Sequence, residues 1–337
     1  MKVVLKPIGE QVMVITGASS GIGLVTAKAA AVRGARVLLA SRNGRDLAHA
    51  VDAIRLAGGR AAFAVADVSD PAQVEAVADG AIAEFGRIDT WVNNAGVSMY
   101  GRITDLALED MRRQMDVTFW GQVYGSRSAV RRLWRTGGAL INVASALADR
   151  AIPLQGIYCA AKHALKAFTD TLRMELEEEG APIAVTLVKP ASIDTPFFEK
   201  AKTYLGVEPR PVPPVYAPEV VAGVILHAAQ HPVREIFAGG AAAKIAAARV
   251  LPRAADLYLE RSAFNSQTTN VPTDGRPDNL HAPLDADGGE RGRTRHGRTR
   301  RSSVYTNASL HPARTAAALG VTGLSLVAIV AGRRPRQ

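Results

Sequence analysis

The sequence predicts a single α/β domain built on a doubly wound parallel sheet and followed by a C-terminal tail. Between residues 12 and 188, short apolar runs alternate with segments of helix length. Repeated strand–helix units of this kind form a parallel sheet with helices on both faces. The length of 337 residues and the 47% hydrophobic content are ample for one domain of about 250 residues plus a tail.

The elements follow from the apolar runs and from the glycines that end them. Gly34 ends the first predicted helix, and Gly58 ends the second. Strands are predicted over residues 12–16, 36–40, 61–66, 90–93, 139–143 and 183–188. Helices are predicted over 24–33, 46–57, 71–85, 108–133 and 158–179. A small helical lid is predicted over about 196–264, with helices at 217–231 and 241–259.

The region after residue 264 loses apolar periodicity. Residues 265–312 are rich in Gly, Asp, Arg, Thr and Pro, so we predict a disordered basic linker there. In the last segment, 313–337, residues 316–332 are apolar, uncharged and flanked by arginines. These 17 residues are at the lower limit for a membrane-spanning helix. The pattern leaves open both a membrane anchor and a helix that docks on the core.

The composition indicates which kinds of partner the protein can bind and in which cellular compartment we expect it. The net charge is +10, but nine arginines of the excess lie in 291–301 and 333–336, outside the predicted fold. This placement indicates a solvated tail and no specific nucleic-acid site. Cys159 is the only cysteine, which excludes an intrachain disulfide, and the first ten residues lack the apolar region of a secretory signal. We expect a cytoplasmic protein, tethered to the membrane if 316–332 is an anchor, and no metal site, because no ligand cluster surrounds His163 or His227.

A glycine-rich turn joins the first predicted strand to the first helix. Glycines let the backbone turn tightly and approach a pyrophosphate, whose charge the helix N-terminus meets. A purely structural turn would also use glycine, but the position inside a strand–helix–strand unit favours a Rossmann-type dinucleotide site. The turn reads Thr16-Gly17-Ala18-Ser19-Ser20-Gly21-Ile22-Gly23.

The end of the second strand predicts NADP(H) rather than NAD(H). Proteins that bind NAD usually place an acidic residue there for the ribose 2′-hydroxyl, whereas this chain has Ser41 and Arg42. Arg42 can pair with a 2′-phosphate through two hydrogen bonds, although an ordinary surface arginine is the alternative. The ends of the third and fourth strands supply the other candidate cofactor contacts: Asp67, Val68, Asn94, Ala95 and Gly96.

Three residues form a candidate chemical site. Tyr158 and Lys162 are four apart on a predicted helix, so their side chains share one face. An unperturbed tyrosine has a pKa near about 10, and a nearby ammonium group lowers that pKa by favouring the phenolate. The pair is therefore predicted to act as a general acid/base, although surface pairs of this spacing are abundant. Ser145 follows the fifth strand, where its hydroxyl either hydrogen-bonds a substrate carbonyl or caps the strand end.

With these residues in this order, the sequence resembles the short-chain dehydrogenase/reductase family over about residues 11–198. The resemblance implies that Tyr158 donates a proton in carbonyl reduction and accepts one in alcohol oxidation. Lys162 would lower the Tyr158 pKa and hold the nicotinamide ribose, and Ser145 would polarise the carbonyl. The segment after the sixth strand would contact the nicotinamide through Pro190, Ile193 and Thr195. The resemblance also implies a homo-oligomer formed through the helices that hold the active site.

Thr118 departs from the family pattern, which usually has Asn at this position to help hold a water that relays protons through the lysine. A threonine hydroxyl could substitute partly, but it lacks the amide's pair of donors. We therefore include Thr118 among the candidate catalytic residues. Its presence supports an alternative function, an NADP(H)-binding sensor or scaffold with little turnover.

The substrate is predicted only by class. The lid offers apolar side chains that suggest an apolar carbonyl or alcohol, although the same side chains could simply pack the lid onto the core. A third hypothesis is a membrane-associated interaction protein that acts through its basic tail. If the chain is instead an enzyme, deletion from Asn265 onward should leave activity intact. The apolar lid residues are Phe197, Phe198, Tyr204, Leu205 and Tyr216.

Overall fold

A computed structural model of the chain describes residues 3–273, 275–285, 288–292, 299–311 and 315. Thirteen strands are present in these residues. In chain order they are β1 (Val12–Thr16), β2 (Arg36–Ser41), β3 (Arg60–Val65), β4 (Thr90–Asn93), β5 (Met99–Tyr100), β6 (Gly138–Val143), β7 (Ile183–Pro190), β8 (Ser192–Ile193), β9 (Lys202–Thr203), β10 (Val207–Pro209), β11 (Val215–Tyr216), β12 (Glu235–Ala238) and β13 (Thr268–Pro272).

Eleven α-helices accompany these strands in the described residues. They are α1 (Gly21–Val32), α2 (Gly44–Leu56), α3 (Pro71–Phe85), α4 (Leu108–Met115), α5 (Gly121–Leu133), α6 (Gly156–Glu178), α7 (Phe197–Lys200), α8 (Pro218–Ala228), α9 (Ala242–Val250), α10 (Pro252–Ser266) and α11 (Val304–Leu310). A π-helical segment, Asp116–Trp120, connects α4 to α5.

Seven strands form one parallel sheet in the order β12–β7–β6–β4–β1–β2–β3. Apolar side chains make the central strands hydrophobic on both faces, and every residue of β1, β4, β6 and β7 is buried. This pattern is typical of a sheet covered by helices on both sides. The strand order reverses between β1 and β4, which is where such sheets bind ligands at their carboxyl ends. The predicted Rossmann-type fold is confirmed.

The seventh strand, β12, was not predicted because it has only four residues and begins with a glutamate. Part of the predicted lid belongs to the sheet domain, since α8 buries Val221, Val224 and Ile225 in the main apolar cluster. Only α7, α9 and α10 are left to cover the site.

The predicted helix over 108–133 is interrupted by the π-helical segment. The segment adds a residue to one turn and ends at Trp120, just before Gly121, where a Cβ atom would lie 2.6 Å from Val68 Cγ2. Segments of this kind inside α-helices are frequent at functional sites.

The predicted disorder of 265–312 is wrong for the residues of that range that the structure describes. β13 pairs with β10, and α11 packs against α8 and β12. Residues 275–285 and 288–292, here called the C-terminal strap, lie across the carboxyl end of the sheet. The strap is ordered although it has no apolar periodicity, because the Leu280 side chain is buried in an apolar cluster of the domain. In addition, arginines of the domain donate hydrogen bonds to carbonyl groups of the strap.

Among the described residues no helix is long and apolar enough to cross a bilayer. The predicted segment 316–332 lies outside these residues.

Candidate active site

A cavity of about 810 Å³ lies at the carboxyl ends of the sheet strands. It contains the chemical and cofactor candidates together, as expected where parallel strands end at one sheet edge. Of the residues named from the sequence, it is lined by Gly17, Ser19, Ser20, Gly21, Ile22, Ser41, Arg42, Asp67, Val68, Asn94, Ala95, Gly96, Ser145, Tyr158, Lys162, Pro190, Ile193 and Thr195. Thr16, Gly23 and Thr118 are not among its lining residues.

The glycine-rich turn is shaped by close backbone contacts. Gly17 has a φ of +65°, and a Cβ atom there would lie 2.7 Å from Ala95 Cα. A Cβ atom on Gly23 would overlap with the Gly17 carbonyl oxygen. The Thr16 hydroxyl is buried and accepts hydrogen bonds from the backbone N–H groups of Asn94 (3.0 Å) and Ala95 (3.2 Å). Thr16 and Gly23 therefore hold the shape of the turn, while Gly17 and residues 19–22 line the cavity.

The far end of the cavity is formed by the ends of β2 and β3. Arg42 lines it, and its guanidinium donates to the carbonyl oxygens of Leu280 and His281 at 3.4 and 3.2 Å. The Asp67 carboxylate accepts from the Ser69 hydroxyl at 2.8 Å and from Arg113 at 2.5 Å. Burial opposes ionisation of Asp67, but the hydrogen bonds from Ser69 and Arg113 outweigh it and lower the pKa of the carboxyl group. Asp67 is thus an ionised acceptor at the cavity wall.

Ser145, Tyr158 and Lys162 converge on the carboxyl end of β6. Lys162 Nζ donates to the carbonyl oxygen of Val143, the last residue of β6, at 2.9 Å, and lies 5.6 Å from the centre of the Tyr158 ring. The Ser145 hydroxyl hydrogen-bonds with Tyr158 and also accepts from Leu147 N at 3.1 Å. Helix α6 carries Tyr158 and Lys162 on one face, as their four-residue spacing predicts.

The predicted lowering of the Tyr158 pKa is wrong for this structure. Burial raises that pKa well above its usual range, and the hydrogen bond from Ser145 offsets only part of the rise. Burial also lowers the pKa of Lys162 to about 7. Both shifts have one cause, since a dry environment disfavours the charged form of each group. The phenol is consequently protonated at neutral pH.

The Thr118 hydroxyl has a partner that the sequence did not predict. Thr118 lies in the π-helical segment and is fully buried, and its hydroxyl donates to Val97 O at 3.1 Å while accepting from Val97 N at 3.3 Å. The hydroxyl therefore holds the loop after β4, and its part in a proton relay stays a prediction.

Gln122 was missed from the sequence because nothing in the pattern distinguishes it from other helix residues. It is buried one turn after Thr118 and donates through Nε2 to Val143 O at 3.0 Å, the carbonyl that also accepts from Lys162. The strap residues Asn279, Leu280 and His281 were also missed, because they lie beyond the predicted domain. Asn279 lines the cavity.

The lid side of the cavity is mostly apolar. Phe197 and Phe198 line it beside Tyr158, whose ring makes an edge contact with Phe197 at 5.9 Å between centroids. Tyr216 also lines the cavity, whereas Tyr204 and Leu205 do not. The further apolar lining residues are Leu147, Ile152, Ile245, Leu251, Leu259 and Tyr258.

A parallel sheet with a glycine-rich turn after β1, and a hydroxyl, a phenol and an amine at the end of β6, together define a nicotinamide-dependent oxidoreductase of the short-chain type. The comparison with protein families agrees: a family model described as short chain dehydrogenase matches residues 11–205. The chain belongs to the short-chain dehydrogenase family, whose members are oxidoreductases acting on CH–OH and C=O groups.

Individual relatives span different shares of the chain. The uncharacterized oxidoreductase YxnA of Bacillus subtilis (strain 168) is 44% identical over 99% of this chain and 94% of its own length. The 11-beta-hydroxysteroid dehydrogenase 1A of Arabidopsis thaliana is 36% identical over 55% of this chain and 53% of its own. The similarity to YxnA thus extends through the region after residue 264, whereas the plant relative matches about half of the chain.

Two solved structures have the same fold. A short-chain dehydrogenase/reductase from Burkholderia phymatum in complex with NAD has a TM-score of 0.66 and 28% identity, covering 78% of this chain and 98% of that one. An alcohol dehydrogenase from the archaeon Thermococcus sibiricus, complexed with 5-hydroxy-NADP, has a TM-score of 0.60 and 26% identity, covering 67% and 95%. The similar proteins include one with NAD and one with an NADP analogue.

Proposed function

We propose that the protein is an NADP(H)-dependent oxidoreductase that interconverts a carbonyl group and an alcohol. The observation that carries the proposal is the placement of Ser145, Tyr158 and Lys162 in the same cavity as the glycine-rich turn. A proton donor and a dinucleotide turn in one cavity are the two parts that hydride transfer to a carbonyl requires.

The residues of the cavity fit a dinucleotide. Gly17, Ser20, Gly21 and Ile22 line the cavity, so a phosphate can approach the backbone of the turn, and the N-terminus of α1 favours its negative charge. Ser41 and Arg42, with no carboxylate at the end of β2, support NADP(H) over NAD(H), because the guanidinium favours a 2′-phosphate. When bound, the nicotinamide supplies or accepts the hydride. Pro190, Ile193 and Thr195 would hold it on the β7 side.

The protein's part of the reaction is the transfer of a proton. Because burial keeps the Tyr158 phenol protonated, Tyr158 is ready to donate its proton to the oxygen of a carbonyl being reduced. The Ser145 hydroxyl, beside the phenol, would donate a hydrogen bond to the same oxygen. The phenolate left behind would be stabilised by the ammonium form of Lys162. In alcohol oxidation the same atoms would act in the reverse direction.

The substrate we propose is an apolar carbonyl compound or the corresponding secondary alcohol. The lid wall supports this class, since Phe197, Phe198, Leu251 and Leu259 offer apolar surface near Tyr158. Relatives from Arabidopsis thaliana and Sesamum indicum are named 11-beta-hydroxysteroid dehydrogenases, and a steroid is a large apolar substrate. A ketosteroid therefore belongs in the first substrate panel.

The test is turnover of the full chain with NADPH and with NADH over a panel of apolar ketones, aldehydes, quinones and a ketosteroid. We expect NADPH to give the higher kcat/KM and Tyr158→Phe to lower kcat by roughly a hundredfold or more, the contribution of a positioned general acid. Tyr305→Phe removes the same atom from the partly exposed surface helix α11 and should leave kcat unchanged.

The remaining outcomes separate the alternatives. Tight NADPH binding without turnover over the whole panel would favour the sensor function that Thr118 suggested. Equal loss of activity in both tyrosine variants would remove the proposed role of Tyr158. No binding of either nucleotide to the folded chain would overturn the proposal.

We further propose that the protein is a homo-oligomer. Several large apolar side chains on or next to the helices that hold the site are exposed, which is common at subunit contacts. Light scattering at micromolar concentration tests this, and a monomer would contradict it. The exposed residues are Leu108, Trp120, Trp134 and Met174.

A further inference from the structure

The C-terminal strap joins the lid to the end of β2. On the lid side, Arg276 donates to Ala201 O at 2.6 Å, and the backbone N–H of Asn279 donates to Lys200 O at 3.0 Å. On the sheet side, the Arg42 guanidinium donates to Asn279 O at 2.5 Å and also to the next two carbonyl oxygens. The strap thus crosses the cavity at the end formed by β2 and β3.

Leu280 anchors the strap at the centre of this crossing. Its side chain has no exposed surface and belongs to the apolar cluster that contains Ala66 and Val68, two residues that also line the cavity. The Leu280 carbonyl oxygen accepts from Arg113 Nε at 3.1 Å, and His281 Nε2 lies 2.6 Å from Asp110 Oδ1. Apolar burial and hydrogen bonds to α4 therefore fix the strap on the domain.

The strap then follows both turns proposed to bind the cofactor. Asn43 at the start of α2 donates through Nδ2 to Leu284 O at 2.7 Å. At the start of α1, the backbone N–H of Gly21 donates to Gly289 O at 2.8 Å, and Ser20 forms a parallel bridge with Gly289. These contacts are with the segments after β2 and β1, and the strap also pairs with α1 and α8 through Glu290–Lys28 and Arg291–Glu219.

The strap leaves the cavity open, although its carbonyl oxygens accept hydrogen bonds from the Arg42 guanidinium and from Gly21 N, two donors of the proposed nucleotide site. The space of about 810 Å³ is measured with the strap in place, and Asn279 and Arg42 both contribute to its lining. A volume of this size is in the range of known ligand sites, which extends to about 1,000 Å³. An inhibitory plug would instead occupy the space between the strands' ends and the strap.

We propose that Asn279 forms part of the outer wall of the adenosine subsite, that Leu280 and His281 hold it there, and that the strap closes over the bound nucleotide. This inference rests on the proposed NADP(H) site. It adds a binding residue from a segment that lies outside the family domain at residues 11–205. The nucleotide would enter and leave only when the contacts of Leu280 and Arg113 are broken, because these hold the strap in place. The Leu280 side chain packs beside Ala66 and Val68, at the end of the cavity formed by β2 and β3, so a change at this residue should leave the substrate side unaffected.

The test compares release of NADPH from the full chain and from Leu280→Ala, measured by stopped-flow fluorescence after addition of excess NADP⁺. Truncating a fully buried leucine removes much of its packing energy. We therefore expect the rate constant for NADPH release and the Kd for NADPH each to increase roughly tenfold or more. KM for the carbonyl substrate at saturating NADPH should stay within about twofold, a change too small to reflect lost binding energy. Leu310→Ala is the matched control, because it shortens a leucine of the same C-terminal region that packs on a different cluster.

Hydrogen exchange of the unmodified chain provides a second measurement that needs no variant. We expect NADPH to slow exchange of the amides in residues 275–285 as well as in residues 17–23. Protection of 17–23 alone, or equal release rates in wild type and a folded Leu280→Ala, would overturn the inference while leaving the proposed function intact. Absence of NADPH binding to the wild type would instead overturn the proposed function, and this inference with it.

Discussion

At the scale of single residues, the chemistry of the site depends on burial. Lys162 is buried inside the domain and Tyr158 is half-buried at the cavity wall, and each has its pKa shifted in the direction that favours the neutral form. A neutral phenol suits proton donation, and a lysine whose pKa is lowered to about 7 can exchange a proton near neutral pH. The burial of Lys162, which is unfavourable for stability, is therefore what allows this residue to exchange a proton near neutral pH.

The burial of Lys162 predicts a pH dependence of stability. The folded-state pKa is about 7 and the ordinary value is 10.5, so between these values the unfolded chain binds a proton that the folded chain does not. The free energy of unfolding should then rise with pH, by up to about 1.4 kcal/mol per pH unit. Below pH 7 both states are protonated, and the full cost of burying the charge remains.

Urea unfolding of wild type and Lys162→Met between about pH 7.5 and pH 9 measures this contribution, since the variant lacks the titrating group. We expect the stability advantage of the variant to be largest at the lower pH and to shrink as the pH rises. A difference between the two proteins that does not change with pH would contradict the lowered pKa.

Ser41 provides a prediction about cofactor choice. The Ser41→Asp substitution places a carboxylate at the end of β2, where it would accept from a ribose 2′-hydroxyl and repel a 2′-phosphate. Because juxtaposed like charges cost several kcal/mol, the ratio of kcat/KM for NADPH over NADH should fall by roughly tenfold or more. Ser41→Asn, which has a similar size without the charge, is the control. An unchanged ratio in Ser41→Asp would contradict a 2′-phosphate site at this position.

At the scale of elements, a buried polar network joins the strands to the helices that carry the site. The Asn93 side chain on β4 donates to Asn142 Oδ1 on β6 at 2.9 Å and to Ser126 Oγ on α5 at 3.1 Å. Asn142 donates in turn to Thr169 Oγ1 on α6 at 3.0 Å. A buried network of satisfied hydrogen bonds rigidifies the core, so the register of α6 against β6, and with it the position of Lys162, is fixed.

Gly125 allows α5 to approach this network. A Cβ atom there would overlap with Asn93 Oδ1 and would lie 2.9 Å from Trp91 Nε1. We expect Gly125→Ala to lower the free energy of unfolding by about 1–3 kcal/mol, the usual cost of overpacking. Gly223→Ala in α8 is the matched control, since nothing lies within 4 Å of the added atom. It should raise stability by about 0.5–1 kcal/mol through the better helix propensity of alanine. Denaturation of both variants tests this, and equal effects would contradict the packing argument.

The elements that the sequence predicted are those with strong local patterns. β1 and α3 have the predicted bounds because the first is a short apolar run and the second begins at a capping Asp70 followed by proline. The π-helical segment could not be predicted from local pattern, and the residue after it, Gly121, packs closely on Val68, which is distant in the sequence. The contact of the Thr118 hydroxyl with Val97 likewise joins residues distant in the sequence.

At the scale of the whole molecule, the sequence predicted a domain boundary near residue 264, whereas in the structure the described residues beyond 264 pack against the domain. Apolar periodicity ends near residue 264, and this signal predicted a catalytic domain followed by a disordered linker. The strap has one buried leucine, and several of its contacts are backbone carbonyl groups bound by domain side chains, which leave no composition signal. Of its partners, Arg42 was predicted from the sequence only as a ligand of a 2′-phosphate, and Arg113 was not singled out.

Truncation tests the role of the whole C-terminal region. Removing 312–337 leaves the strap and α11, so NADPH affinity should stay within about twofold of wild type. Removing 265–337 also deletes β13 and Leu280, and we expect NADPH to bind at least roughly tenfold more weakly. This expectation replaces the prediction from sequence that deletion from Asn265 would leave activity intact. Equal affinity of both truncated chains, measured by NADPH fluorescence titration, would restore that prediction.

The position of the strap after the sheet in the sequence also affects how the protein is made. Translation proceeds from the N-terminus, and domains begin to fold during synthesis. The seven-stranded sheet, complete once β12 has emerged, can therefore form around an open cleft before residues 275–292 leave the ribosome. A nucleotide present in the cell can enter at that stage, and the strap, which is synthesised later than the sheet, then closes behind it.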